Sequence, residues 1–132
     1  MISTKLKTIF GFSVPLFVAH GLEEYLTGIY GVDSHVRFVL GYFNTLPAPQ
    51  ATFLLFQIML WLMLIISFVL ISGTKWQLRL MMLPGLIYIY ELHHIWKALS
   101  VWSYYPGLIT AVGFPIIGFL FWKELWKIFR QV

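Results

Sequence analysis

The sequence predicts an all-α polytopic membrane protein: a four-transmembrane-helix bundle with an interfacial helix between helices 1 and 2. Of its 132 residues, 60% are hydrophobic and only 11% are charged, whereas soluble domains have about 25% charged residues. The mean hydropathy is +0.83. So few charges could not cover the surface of a soluble protein of this size, so the lipid bilayer is expected to be its main surrounding. The length predicts a single membrane domain, residues 1–132.

Four apolar runs are the predicted spans, at residues 8–27, 51–72, 79–99 and 105–123. Each is close to the ~20 residues that a helix needs to cross the hydrocarbon core. The third and fourth runs contain Pro84 and Pro115. Proline is tolerated in membrane helices when neighbours satisfy the freed backbone groups, so kinks are expected at both places.

The connection between the first two runs predicts a short helix at the membrane interface, residues 33–45. Asp33 or Ser34 is a suitable N-cap, and Pro47 lies beyond the expected end. The segment mixes aromatic and aliphatic side chains with His35 and Arg37, as suits the interface plane.

Basic residues predict the orientation. Four crossings place most of them on one side of the membrane: Lys5, Lys7, Lys75, Arg79, Lys123, Lys127 and Arg130. Only Arg37 and Lys97 fall on the other side. The positive-inside rule then puts both termini in the cytoplasm. The net charge of +4 therefore indicates topology, and no nucleic-acid partner is expected.

The N-terminal apolar run and the absence of cysteine add two exclusions. The run continues into polar residues without a small-residue cleavage site, so it is interpreted as a helix and not as a cleaved signal peptide. No cysteine is present, which excludes disulfides and thiolate metal sites.

Two polar clusters interrupt the apolar runs: His20-Gly21-Leu22-Glu23-Glu24 and Glu91-Leu92-His93-His94. Ionisable groups in hydrocarbon are costly, and they usually face a bundle interior or a water-filled cavity. At 1.5 Å per residue, both clusters fall roughly 8–12 Å below the outer edge of the membrane. Gln57 and Thr110 of the other two runs fall at a similar depth, so all four helices are expected to contribute to one polar layer.

Spacing gives these side chains a direction. His20, Glu23 and Glu24 are three and four residues apart and share one helix face, and Glu91 and His94 are three apart. Three carboxylates in a low-dielectric layer stay ionised only if positive charge compensates them. No Lys or Arg lies at that depth to supply it. Two solutions remain open: a bound cation, or protonated carboxylates that hydrogen-bond to histidine.

The metal solution fits the donor types, because imidazole and carboxylate suit zinc, iron or manganese. The candidate metal ligands are His20, Glu23, Glu24, Glu91 and His94. The candidate catalytic residues are Glu24 as general base, His93 and Tyr105. Glu-x-x-His on bundle helices is typical of di-iron carboxylate proteins, which also need a Glu from two further helices. The second and fourth runs supply none, so one metal, or two with fewer carboxylates, fits better.

These motifs resemble a known family. His20-Gly21-Leu22-Glu23-Glu24, Leu92-His93-His94, and Tyr105-Pro106-Gly107 followed by Thr110 look like the three signature motifs of HXXEE-domain proteins, small bacterial integral membrane proteins of uncharacterised function. The resemblance implies a bacterial inner-membrane location and marks these positions as signature residues. It names no reaction.

The residues together predict a metal-dependent membrane enzyme that acts on a hydrophobic or lipid-like substrate. One alternative is a metal-free His/Glu acid–base isomerase or cyclase with an isoprenoid-like substrate. Another is a non-enzymatic proton or metal carrier, or a structural membrane protein. The expected partners are the bilayer, a hydrophobic small molecule and, for a carrier above all, further copies of the chain.

Overall fold

A computed structural model describes residues 2–131 as helices and short connections, with no strand among them. The nine helices in this part of the chain are α1 Thr4–Thr27, α2 Ile29–Val32, α3 Ser34–Asn44, α4 Ala48–Ile71, α5 Thr74–Leu80, α6 Met82–Tyr90, α7 Leu92–Val101, α8 Leu108–Ala111 and α9 Phe114–Phe129. The all-helical prediction is confirmed.

Two stretches are long and apolar enough to cross a membrane: Ala48–Ile71 and Leu108–Phe129. The four-span bundle is therefore confirmed only in part. The first predicted run lies within α1, whose polar residues lower its hydropathy. The third is divided among α5, α6 and α7, so none of its pieces is long enough to span alone.

Proline explains two interruptions. A proline has no N–H to donate to the carbonyl four residues earlier. For Pro84 that carbonyl belongs to Leu80, the last residue of α5, and for Pro115 it belongs to Ala111, the last residue of α8. Both helices end where the chain lacks the next hydrogen-bond donor, at the two expected kinks.

The main core joins α1, α5, α6, α8 and α9. Its buried residues are Leu6, Leu78, Tyr88, Ala111, Phe114, Phe121, Leu125 and Ile128. Polar contacts reinforce it: the Tyr88 hydroxyl of α6 donates to Ser13 Oγ of α1 at 2.6 Å, and Trp122 Nε1 of α9 donates to the Gly85 carbonyl at 2.9 Å. Small residues permit the close approach, since a Cβ at Gly118 would lie 3.0 Å from the Tyr88 Cβ.

Helix α4 takes little part in this packing. None of its residues is buried, and its main tertiary contacts are with α5, the next helix along the chain. Gln57 makes no hydrogen bond within the described residues, and the contacts of the polar layer do not involve it. The expectation that all four predicted helices share that layer is therefore not met, because α4 does not pack where the layer forms.

Helix α3 lies within the segment predicted to be interfacial. Asp33 is its N-cap, and its carboxylate accepts from the backbone N–H groups of His35 and Val36 at 2.8 and 3.0 Å. A second, smaller core of Ile29, Ala98 and Tyr105 lies beside this segment.

Candidate metal centre

Four side chains from α1 and the α6–α7 stretch converge on one point. They are His20, Glu24, Glu91 and His94, called here the His/Glu cluster, and one donor atom from each lies within 4.8 Å of the others. The imidazoles of His20 and His94 are buried, while the side chains of Glu24 and Glu91 are 26% and 13% exposed. The cluster thus has a closed imidazole side and a carboxylate side that is partly open.

A break between α6 and α7 aligns two of these residues. The His94 N–H bonds to the Glu91 carbonyl at 3.3 Å, a bond between residues three apart. In an α-helix such residues are about 60° out of line around the axis, whereas in a 3₁₀ turn they are eclipsed. The tightened turn at Glu91 therefore brings both side chains to the same side.

The donor atoms are spaced like the corners of a coordination polyhedron. His20 Nε2 lies 3.0 Å from Glu91 Oε2 and 3.6 Å from Glu24 Oε1. His94 Nε2 lies 3.3 and 3.2 Å from the same two oxygens. A tetrahedral ion with bonds of about 2.0–2.2 Å holds its ligand atoms about 3.3–3.6 Å apart. Three of these four nitrogen-to-oxygen distances fall within about 0.1 Å of that range, and the His20–Glu91 distance is shorter. The limit for the whole donor set is wider, 4.8 Å, so the spacing suits a bound ion without defining a tetrahedral site.

The hydrogen bonds fix which nitrogen of His94 carries its proton. Nδ1 lies 2.6 Å from the Pro106 carbonyl oxygen, which can only accept, so Nδ1 must donate. Nε2 is then the atom directed at the cluster, and it is buried with no hydrogen-bond partner among the described residues. Metal-bound histidines almost always donate their other N–H in this way.

Glu23 does not join the cluster. Its Oε1 accepts from the Tyr104 hydroxyl at 2.7 Å and the Ile109 N–H at 3.0 Å. Its Oε2 accepts from the N–H and hydroxyl of Thr110 at 2.9 and 2.5 Å. Although Glu23 is a predicted ligand, the structure directs it to the start of α8.

His93 and Tyr105 lie beside the cluster and face Asp33. The Tyr105 hydroxyl donates to Asp33 Oδ2 at 2.5 Å, and His93 Nε2 lies 3.9 Å from the same oxygen. The rings of His93 and His94 are 4.0 Å apart at their centres. Of the three candidate catalytic residues, His93 and Tyr105 therefore have their polar atoms engaged outside the cluster, and only Glu24 belongs to it.

Sequence reasoning missed the second role of Asp33, which is completely buried. Burial alone would raise the pKa of this carboxyl group, but hydrogen bonds from Tyr105, Val36 and His35 outweigh burial and lower the pKa to about 2. Burial and the same carboxylate raise the pKa of Tyr105. An aspartate before a helix reads as a cap, and nothing in the sequence pairs it with a tyrosine 72 residues later.

Residues 12–121 match the profile of a family described as a protein of unknown function with HXXEE motif. The chain belongs to the HXXEE family. No curated protein and no solved structure matches it. The residues of the HXXEE motif make two sets of contacts. Its histidine and last glutamate belong to the His/Glu cluster, whereas its first glutamate accepts hydrogen bonds from the start of α8.

Among the described residues, no lysine or arginine compensates the two cluster carboxylates. Within residues 2–131, no Lys or Arg nitrogen lies within 4 Å of Glu24 or Glu91, whose ion-pair contacts are all with His20 and His94. Two imidazole nitrogens and two carboxylate oxygens are a donor set that suits zinc, iron or manganese. The His/Glu cluster could therefore hold a metal ion.

Proposed function

We propose that this HXXEE protein is an integral membrane metalloenzyme whose His/Glu cluster binds one divalent transition-metal ion and acts on a hydrophobic or lipid-like substrate. The proposal rests on one observation: both imidazoles point Nε2 at a point that two carboxylate oxygens also face. Among the described residues, the buried His94 Nε2 makes no hydrogen bond, although it lies 3.2 and 3.3 Å from oxygens of Glu24 and Glu91. An unpaired buried polar atom is costly. A bound cation satisfies this nitrogen and compensates both carboxylates.

The surroundings support a membrane setting. Two helical stretches are long and apolar enough to cross a bilayer, and in the proposal α1 and α5–α7 supply the other two crossings. Large apolar side chains are exposed along all of these helices, which lipid would cover. A substrate that reaches the cluster from such surroundings has to be at least partly apolar.

The more exposed carboxylate is the candidate base. A bound divalent metal ion supplies Lewis acidity and lowers the pKa of bound water. The Glu24 side chain reaches the cluster from its open side and is more exposed than that of Glu91, so a substrate can approach it. Glu91 is less exposed and lies closest to His20, at 3.0 Å, so its role in the proposal is to hold the metal. His93 and Tyr105 become positioning residues.

One contact favours a second candidate, a metal-free acid–base enzyme that isomerises or cyclises an isoprenoid-like substrate. His20 Nε2 and Glu91 Oε2 are 3.0 Å apart, within direct hydrogen-bond distance. A histidine and a glutamate paired in this way can transfer a proton between them and a substrate. In that case the cluster works without an ion, and chelators have no effect.

Metal analysis of the purified protein separates the two candidates. The protein is expressed in medium supplemented with zinc, iron and manganese, extracted in detergent and analysed by mass spectrometry. We expect about one equivalent of one metal, lost in Glu24→Gln and His94→Ala. His35→Ala is the matched control, because His35 is exposed and lies outside the cluster.

Thermal unfolding gives an independent measurement. A ligand at 100 times its Kd stabilises the folded state by about 2.7 kcal/mol, so chelation should lower the melting temperature of the wild type and leave His94→Ala unchanged. Two results together would reject the metal centre in favour of the acid–base candidate. The protein from supplemented cells would contain no metal, and neither chelator nor added metal would change its melting temperature.

A further inference from the structure

We propose that Glu23 is a positioning residue that acts through the Thr110 hydroxyl to hold a proton on Nδ1 of His20, so that Nε2 is the nitrogen that faces the cluster. The purpose of this arrangement rests on the proposed metal centre, whereas the tautomer itself can be measured without metal. Glu23 contacts none of the four donor atoms of the cluster, which distinguishes it from Glu24, its neighbour in the motif.

The first step is the set of partners around Glu23. Its carboxylate accepts four hydrogen bonds, from the Tyr104 hydroxyl, the Ile109 N–H, the Thr110 N–H and the Thr110 hydroxyl. All four partners come from the turn before α8 and its first residues. An ionised carboxylate is acceptor-only, so this environment requires the charged form and fixes the turn against α1.

The second step is the single proton of Thr110. Its hydroxyl lies 2.5 Å from Glu23 Oε2 and 2.8 Å from His20 Nδ1. A hydroxyl has one proton to donate and two lone pairs with which to accept. Because a carboxylate is the stronger acceptor, the proton goes to Glu23. The Thr110 oxygen must then accept from His20, so His20 Nδ1 carries a proton. Nε2 lies 3.0 Å from Glu91 Oε2, and any proton on it has to leave before Nε2 can bind a metal.

The third step is the symmetry between the two imidazoles. Nδ1 of His94 donates to the Pro106 carbonyl, and Nδ1 of His20 donates to the Thr110 hydroxyl oxygen. Both acceptors belong to the segment from Pro106 to Thr110, which Glu23 fastens to α1. One segment therefore orients both rings, and the first glutamate of the HXXEE motif holds that segment in place.

Nitrogen NMR of the metal-free protein tests the tautomer directly. In histidine-labelled protein at alkaline pH, protonated and unprotonated ring nitrogens have well-separated shifts, and His20→Gln assigns the His20 signals. We expect His20 to be protonated at Nδ1 in the wild type. In Thr110→Val the proton should move to Nε2, where Glu91 accepts it, and Thr110→Ser should restore the wild-type pattern.

Metal affinity is the second readout. Loss of a residue that orients a metal ligand costs roughly 10–100-fold in affinity, and we expect that loss in Glu23→Gln and Thr110→Val. Glu124→Gln is the control: Glu124 accepts a hydrogen bond from Ser3 at 3.0 Å and thereby also joins α1 to a later helix, but it is remote from the cluster. Its affinity should equal that of the wild type.

The outcomes separate this inference from the proposed function. A wild-type His20 protonated at Nε2 alone, or a protonation pattern unchanged in Thr110→Val, overturns the inference even if metal binds. The expected tautomer in a protein that never binds metal supports the hydrogen-bond relay and rejects the metal centre. Equal losses of affinity in Glu124→Gln and Glu23→Gln would mean general destabilisation and would also overturn the inference.

Discussion

Gly107 lies directly against the two imidazoles of the His/Glu cluster. A Cβ built on it would lie 2.8 Å from both His20 Cε1 and His94 Nδ1, and its φ of +84° lies in the left-handed region. That region costs a residue with a Cβ about 1–2 kcal/mol. The absence of a side chain at Gly107 is thus what allows the two imidazoles to approach one another.

We predict that Gly107→Ala displaces both rings and weakens metal binding at least tenfold, because the added methyl group cannot fit and the backbone is strained. Metal titration followed by calorimetry measures the affinity, and circular dichroism checks that the helices remain. Gly21→Ala is the control: it lies next to His20, and its added Cβ would meet nothing within 4 Å. Equal affinities for the two variants would contradict the steric argument.

At the residue scale, the sequence identified most of the cluster and could not assign every role. Helical spacing places His20, Glu23 and Glu24 on one face. It does not say that the carboxylates of Glu23 and Glu24 diverge. The direction of Glu23 depends on Thr110, 87 residues away, and that of Glu24 depends on the distant His94. The Pro106 carbonyl is a backbone group and gives no residue-type signal.

At the scale of elements, α1 and α6 are joined by a buried polar pair. The Tyr88 hydroxyl donates to Ser13 Oγ, and Ser13 donates to the Phe10 carbonyl, each at 2.6 Å. Both residues are at most 2% exposed. The pair lies in α1 and α6 on the N-terminal side of His20 and Glu91, so it fixes the spacing of the two helices that carry the cluster.

We predict that Tyr88→Phe lowers the free energy of unfolding by about 1 kcal/mol, the usual net value of one hydrogen bond. Ser13→Ala should cost more, about 1–3 kcal/mol, because the Tyr88 hydroxyl is then buried without a partner. Thermal unfolding in detergent measures both, with the 71%-exposed Tyr25 changed to Phe as the neutral control. A Ser13→Ala loss no larger than that of Tyr88→Phe would contradict this ranking.

Element boundaries show where sequence reasoning succeeds and where it stops. The breaks associated with Pro84 and Pro115 follow from a missing N–H, which is a local property and could be predicted. The break at Glu91 has no proline or glycine beside it. It depends on the packing that holds Glu91 and His94 on the same side. Tertiary packing of this kind cannot be predicted from a short segment of sequence.

At the scale of the whole molecule, the number of crossings is the main open prediction. Two stretches meet the length and hydropathy of a span, and α1 and α5–α7 do not meet them as single helices. The basic residues nonetheless alternate between the two ends of the helices as four crossings require, with Lys75 and Arg79 between the second and third predicted spans.

We predict that Asn44 and Ser103 face the outside and that Lys75 and Gln131 face the cytoplasm. All four residues are exposed, and because the chain has no cysteine, each can be changed to Cys as a single reporter. A membrane-impermeant maleimide should label the first two on intact cells and the last two only after permeabilisation. Labelling of Lys75→Cys and Ser103→Cys on the same side would mean that α5–α7 does not cross.

Helix α4 should tolerate substitutions better than the segment beside the cluster. Since none of its residues is buried, exchanging one aliphatic or aromatic side chain for another there disturbs no buried packing within the single chain. The segment from Pro106 to Thr110 is less tolerant, because the Pro106 carbonyl, the Thr110 hydroxyl and the missing side chain of Gly107 each fit against an imidazole. Substitutions should therefore accumulate in α4, the more hydrophobic of the two candidate spans. They should be rare in the five residues from Pro106 to Thr110, which a hydropathy plot does not distinguish.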